Sequence, residues 1–225
     1  MERKRWYEDA CGAAHALDIV GERWALLVIR ELMFGPRRFG ELRANLPGIS
    51  ANILTQRLEG LEREGVVVRR KLPPPASVQV YELTPWGYEA EPIFQTLGRW
   101  ATRSPTHDPT LPISNASLLL SFRTMIDAAK ARGLGATIAL RLGNEDYVAR
   151  LADGAIAIAR GEAEAADLRI AATAAALGAA IYGGAAFETL EAQGVLALEG
   201  DRALARRFAT LFPLPEKADA PPPPA

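Results

Sequence analysis

Asn52, Thr55, Gln56 and Glu59 recur at three- and four-residue spacing within residues 47–70, PGISANILTQRLEGLEREGVVVRR. On a helix that spacing sets them largely on one face. Short and amide-bearing side chains of this kind hydrogen-bond base edges and phosphates in a major groove, which is recognition chemistry and makes or breaks no bond. Ile53, Leu54, Leu58 and Leu61 form the opposite, apolar stripe. Ser50 is an N-cap whose hydroxyl can accept from a first-turn N–H. Gly65 stops the helix, and Val66-Val67-Val68 opens a β-branched strand that ends in Arg69-Arg70-Lys71. An amphipathic helix with a solvated face has the same pattern by itself. The basic strand directly behind it is what points to nucleic acid.

Bond-making chemistry has little support. His15 and His107 have no visible nucleophile or carboxylate partner, and no nucleophile elbow, zinc motif or phosphate-cradling glycine loop is present. No catalytic residue, metal or cofactor is expected, and the chain is not read as an enzyme. The single cysteine, Cys11, excludes an intrachain disulfide framework and fits a reducing cytoplasm. No window has the length of a membrane span and no signal-peptide pattern appears, so a cytoplasmic location without a membrane partner is expected. The net charge of −1 decides nothing, but its placement has a direction. Residues 1–104 carry 15 Lys/Arg against 13 Asp/Glu, and residues 105–225 carry 11 against 14.

The elements that must position these residues follow from local signals. Residues 1–11 read as an arm. A short helix over 13–20, a core helix over 22–34 carrying Trp24, Leu27, Val28, Ile29, Leu32 and Met33, and a helix on Phe39, Leu42 and Leu46 come before Pro47-Gly48. Arg37 and Arg38 precede the third of these. A helix, a turn with Gly, and a second helix with a polar face is helix-turn-helix grammar. Strands over 66–72 and 78–84, joined by three prolines that cannot donate to a ladder, predict a wing. Its cations, Arg69, Arg70 and Lys71, supply salt-sensitive phosphate affinity. Thr84-Pro85 starts a helix expected to reach Arg103, with Trp86, Ile93, Leu97 and Trp100 as a stripe suited to pairing with a second copy.

Residues 104–112, SPTHDPTLP, read as a linker, with His107 solvated inside it. Beyond it a helix over 114–132 is expected, then short alternating segments at 136–142, 147–151, 155–160 and 167–171 that suggest an antiparallel sheet of hairpins. A small-residue helix over 173–182, extended text at 187–190 and 195–199, and a final helix over 201–211 complete this half. The tail from Pro213 is expected to be disordered. The domains are thus 1–103, a linker 104–112, 113–214, and a Pro-rich tail 215–225.

Residues 11–103 resemble the HxlR family of winged helix-turn-helix transcriptional regulators, relatives of the MarR group. The resemblance runs in order through Cys11, Leu17-Asp18-Ile19-Val20-Gly21-Glu22-Arg23-Trp24, Leu32, Gly35-Pro36-Arg37-Arg38-Phe39-Gly40-Glu41-Leu42, Pro47-Gly48-Ile49-Ser50, Leu54-Thr55-Gln56-Arg57-Leu58, Leu61-Glu62, Gly65, and Tyr81-Glu82-Leu83-Thr84-Pro85-Trp86-Gly87. It implies a homodimer on a palindromic double-stranded DNA operator, with contact roles for Arg38, Ser50, Asn52, Thr55, Gln56 and Arg57. Arg37 and the wing cations are taken with them. Arg57 equally suits an intramolecular brace. The resemblance also brings two readings of Cys11: a thiolate that senses oxidants or electrophiles, and a buried, inert cysteine at a dimer seam.

The second half resembles the sterol carrier protein type-two-like fold, through Ala166-Asp167-Leu168-Arg169-Ile170, the small helix ending at Gly183, and Gly194-Val195-Leu196-Ala197-Leu198-Glu199-Gly200-Asp201. The fold class is then α+β: a winged helix-turn-helix domain followed by a sandwich whose antiparallel sheet is covered by helices. That resemblance implies an apolar tunnel for a lipid-like or aromatic effector. Phe122, Met125, Ile126, Tyr182, Phe187, Phe208 and Phe212 are its candidate lining, and equally a plain core.

Overall fold

The structure, a computed structural model, describes residues 7–219. The arm is outside them up to Trp6, as is the tail from Ala220. The chain divides into two compact units with the boundary between Pro92 and Ile93.

In the first unit, α1 (Gly12–Val20), α2 (Ala25–Leu32), α3 (Phe39–Asn45) and α4 (Ala51–Arg63) precede β1 (Val67–Lys71) and β2 (Gln79–Leu83). Val28, Ile29 and Leu32 of α2 are completely buried with Leu42 and Leu54, so α2 is the core helix its composition predicts. It starts at Ala25, because Trp24 is left-handed at φ 79° and breaks the run from Glu22. Gly48, at φ 91° in the α3–α4 turn, lies where the far edge of the Trp24 ring would meet an added Cβ at 3.8 Å. Ile53 and Phe39, expected in the core, are half-buried.

The end of α4 sets the course of the wing. Val66 N–H donates to Leu61 O (2.9 Å) and Gly65 N–H to Glu62 O (3.1 Å), with Gly65 left-handed at φ 74°, a Schellman stop. β1 and β2 then pair antiparallel from Val67↔Leu83 to Lys71↔Gln79. Thr84 fastens the base of this hairpin. Its hydroxyl accepts from Gly87 N–H (3.0 Å) and donates to Gly65 O (2.8 Å), while its N–H donates to Val66 O (3.0 Å).

The helix expected over 85–103 is two helices, α5 (Pro85–Tyr88) and α6 (Glu91–Ala101). Glu89 and Ala90 close tight turns onto Trp86 O and Gly87 O, and Pro92 has no N–H to carry a helical bond back to Tyr88. α6 has residues in both compact units, so the structural boundary falls earlier than residue 103.

The second unit is built on a five-stranded sheet, order β5-β4-β3-β6-β7, from β3 (Ala136–Leu142), β4 (Glu145–Ala152), β5 (Ala155–Arg160), β6 (Leu168–Ala172) and β7 (Leu196–Gly200). It is mixed, where an all-antiparallel sheet is expected: β3 and β6 run parallel, from Ile138↔Leu168 to Leu142↔Ala172. β3–β4 and β4–β5 form hairpins, but the central pairing is non-local and leaves no local signature. Ile138, Leu140, Leu142, Ala149, Leu151, Ile156, Ile158, Leu168 and Ile170 are buried on one face. α7 (Asn115–Met125), α9 (Ala174–Tyr182), α10 (Phe187–Ala192) and α11 (Arg202–Ala209) accompany the sheet, α7 packing on β5, α10 on β7 and α11 on β6.

Three further expectations change here. The helix over 114–132 breaks into α7 and α8 (Ala128–Ala131), because Ile126 is extended (ψ 126°) and Asp127 N–H leaves to bond Leu211 O at 2.8 Å. Asp127 then caps α8 through Ala129 and Lys130 N–H. Residues 187–190, read as extended, form α10, and Phe187 and Leu190 bury its apolar side. The segment before Ala220 is laced down, not loose. Ala218 N–H donates to Arg103 O (2.7 Å), Arg103 Nε to Glu216 O (3.2 Å), and Lys217 Nζ to Thr102 O and Ser104 O (both 3.0 Å).

Candidate nucleic-acid interface

The α4 face is as its spacing requires. Asn52, Thr55, Gln56 and Glu59 are exposed, while Leu54, Leu58 and Leu61 are buried. Ser50 Oγ accepts from Ile53 N–H at 3.2 Å and so caps the helix. The free N–H groups and dipole of that end suit a phosphate. Arg38, exposed, stands at the N-cap of α3, where its N–H donates to Glu41 Oε2 at 2.8 Å.

The wing cations are exposed, and two of them have carboxylate neighbours. Arg70 pairs with Glu82 across the hairpin, which raises its guanidinium pKa further. Arg69 Nε lies 3.8 Å from Glu62 at the end of α4. That contact ties the wing to α4, and both arginines keep about half of their surface open to a phosphate, at 52% and 43%. Lys71 is exposed at the end of β1.

Two expected contacts are elsewhere. Arg37 is 2% exposed, and its backbone bridges Tyr81 in both directions (2.9 and 2.8 Å), adding a third edge beside the hairpin. A buried side chain does not reach a duplex, so Arg37 is a structural residue; two adjacent arginines in a sequence do not show which one turns inward. Arg57 pairs with Glu22 at 3.1 Å and is 18% exposed, the brace geometry, joining α4 to the segment before α2. Arg43 and Arg63, exposed in the last turns of α3 and α4, are cations absent from the expected set. Arginines there read equally well as partners of a helix C-terminus.

Cys11 is exposed in the single chain. It is the N-cap of α1 without a side-chain cap bond, and its place beside the N–H groups of Ala14 and Ala13 lowers its thiol pKa from the ordinary value.

In the second unit, the residues expected to line a tunnel are packed on one another. Phe122 stacks on Phe212 (4.6 Å between centroids), and Phe208 meets both edge-on at 5.6 and 5.0 Å. Phe122, Phe208 and Phe212 are 0–2% exposed, and Met125 and Phe187 are buried. Ile126 is half-buried, as is Tyr182, whose hydroxyl bonds Ser121 Oγ at 2.7 Å. Burial drives the Tyr182 phenol far above its ordinary range. His107 is also half-buried, with Nδ1 out of solvent, where a solvated linker residue is expected. No helix among the described residues is long and apolar enough to cross a membrane.

Residues 19–108 match the model of the HxlR-like helix-turn-helix family. The HTH-type transcriptional regulator YvaP of Bacillus subtilis is 40% identical over 87 residues, which are 39% of this chain and 81% of that protein. The chain belongs to the HxlR-like helix-turn-helix family. It is a transcriptional regulator of the HxlR type, and regulators of this family bind DNA, typically as dimers. YodB of Bacillus subtilis, another HTH-type regulator, is 38% identical over 86 residues, 38% of this chain and 77% of its own length. A solved structure of the reduced form of YodB is 34% identical, covers 44% of this chain and 100% of that one, and has a TM-score of 0.40. Beyond the HxlR-like part, residues 108–218 match the model described as alkyl sulfatase C-terminal.

Proposed function

We propose that this chain binds a palindromic operator as a homodimer, α4 entering the major groove with the wing on the adjacent backbone, and that a small aromatic or apolar effector in the second unit adjusts its affinity for DNA. The observation that carries the DNA reading is the exposed set Asn52, Thr55, Gln56 and Glu59 on a capped α4, with exposed Arg69, Arg70 and Lys71 on the hairpin joined to it through Glu62. Ile93, Leu97 and Trp100 favour the dimer: they are 50, 44 and 71% exposed and share one stripe of α6 at helical spacing. Helices accompanying one sheet support a sterol carrier protein-like layering, and since Phe122, Phe208 and Phe212 fill the inner face, the effector belongs elsewhere on that unit. The location is cytoplasmic.

Fluorescence anisotropy on labelled duplexes from the region upstream of the gene tests the contacts. Asn52→Ala with Gln56→Ala should cost about 1–3 kcal/mol per lost base contact and relax sequence preference. Arg57→Ala should leave the preference intact. Equal losses on specific and random duplex for the α4 pair would overturn base reading by this face. A second reading rests on Cys11: with its thiol exposed, alkylation or oxidation shifts operator affinity and the second unit serves assembly alone. Cys11→Ser with an unchanged response to inducer disposes of it.

A further inference from the structure

The strand register separates two faces of the sheet in the second unit. Opposite the buried face lie Ala139, Arg141, Asp146, Arg169, Ala171, Ala197 and Glu199, paired as Arg141↔Asp146, Arg141↔Ala171, Ala139↔Arg169, Arg169↔Glu199 and Ala171↔Ala197. A solvated sheet face ordinarily carries larger polar or β-branched side chains, and alanine is a poor strand former. Here the alanines leave room. A cleft of about 240 Å³ lies over Ala139, Ala171 and Ala197, beneath Gly161, Glu162 and Ala163 of the β5–β6 connection. The roof is fastened at both ends: Gly161 N–H donates to Asp146 O (2.9 Å), and Arg169 Nη2 to Ala163 O (3.4 Å). The volume exceeds the roughly 150 Å³ that holds one benzene ring in an apolar cavity.

The charges around this cleft select a class of ligand. Arg141 is satisfied by a two-pronged bond to Asp146, at 2.7 and 3.1 Å. Arg169 gives one of its five N–H donors to the roof carbonyl and keeps its charge beside Glu199, its partner across the strands. With Asp146 matched by Arg141, Glu162 and Glu199 face the single charge of Arg169, so three carboxylates against two guanidiniums leave the lining one negative charge in excess. We propose that this outer-face cleft binds a small aromatic molecule carrying one positive charge, an amidine or an amine, with its ring over the alanines and its cation between Glu162 and Glu199. This deepens the effector reading and rests on it for its regulatory consequence, since the opposite face is filled by its own phenylalanines.

Benzamidine is the probe, with benzamide as its neutral isostere and benzoate as its anion, titrated into the full chain by calorimetry and ligand-observed NMR. Benzamidine is expected to saturate with a Kd on the order of 1 mM, as suits so small a ligand. Benzamide and benzoate should bind at least about tenfold more weakly. Ala171→Leu fills the exposed floor and should abolish binding, and Glu199→Gln should weaken it about tenfold with the thermal midpoint unchanged. Benzamidine that fails to saturate, binds no better than benzoate, or binds Glu199→Gln as tightly as the parent chain overturns the site; if Ala171→Leu misfolds, Glu199→Gln decides alone. The effect of saturating benzamidine on duplex affinity is read separately. Binding without any such effect leaves the cleft standing and overturns its regulatory role.

Discussion

Gly87→Ala tests the account of how the wing is held. A Cβ at Gly87 would lie 2.2 Å from Val66 O and 3.2 Å from Leu83 Cβ and Cδ2. The first distance is more than 1 Å inside the 3.4 Å at which ordinary contact begins, and its partner is backbone, which cannot rotate away. The same carbonyl accepts from Thr84 N–H, and Gly87 N–H is the group Thr84 Oγ1 caps, so moving either strand end disturbs both bonds. Overpacking of this kind costs about 1–3 kcal/mol, and loss of the cap adds about 1 kcal/mol. A total of about 3 kcal/mol corresponds to roughly 12 °C or more in the midpoint of a small unit. Chemical denaturation followed by circular dichroism, with amide exchange at Val66 and Thr84 to assign the change to the first unit, measures it. Gly12→Ala is the control: nothing lies within 4 Å of its added Cβ, and it should gain about 0.5 kcal/mol. A Gly87→Ala chain within 0.5 kcal/mol of the parent would refute the reasoning.

The remaining predictions concern surfaces. Leu97→Glu with Trp100→Glu should convert a dimer to a monomer in sedimentation velocity while leaving the circular dichroism unchanged; a persisting dimer would move the interface off α6. Arg202 holds the Glu191 carboxyl below its ordinary 4.5 through a two-pronged bond at 2.8 and 2.9 Å. Because the folded value is the lower one, the stabilisation is complete above about pH 4.5 and is lost as pH falls through the folded value. Glu191→Gln should therefore flatten the acid limb of a stability–pH profile, and an unchanged limb would contradict the pair. Iodoacetamide should label Cys11 faster than glutathione at pH 7, as its lowered pKa requires; a slower reaction would show that the N–H groups of α1 do not hold the thiolate.

The first half was legible because its signals are local. Ser50, the leucines of α4, Gly65 and the prolines 73–75 each act within a few residues of themselves, and the structure uses each as its type suggests. Arg37 was not legible, since its burial depends on Tyr81, which is distant in sequence. Phe187–Leu190 is too short for its period to separate helix from strand, and burial of Phe187 and Leu190 along α10 decided it. The parallel pairing of β3 with β6 depends on a crossover that no window contains. In the second half, the large aromatics lie on the inner face, where they fill their own space. The outer cleft is made by alanines, whose significance appears only once the register places them side by side.

Selection from a random duplex pool with the full chain tests the central claim most directly. An inverted repeat is the predicted outcome, with half-site centres about 10 base pairs apart, or a multiple of that spacing, and two chains per duplex by native mass spectrometry. A pool that stays random after repeated rounds, or that converges on a single unrepeated site bound by one chain, would contradict it.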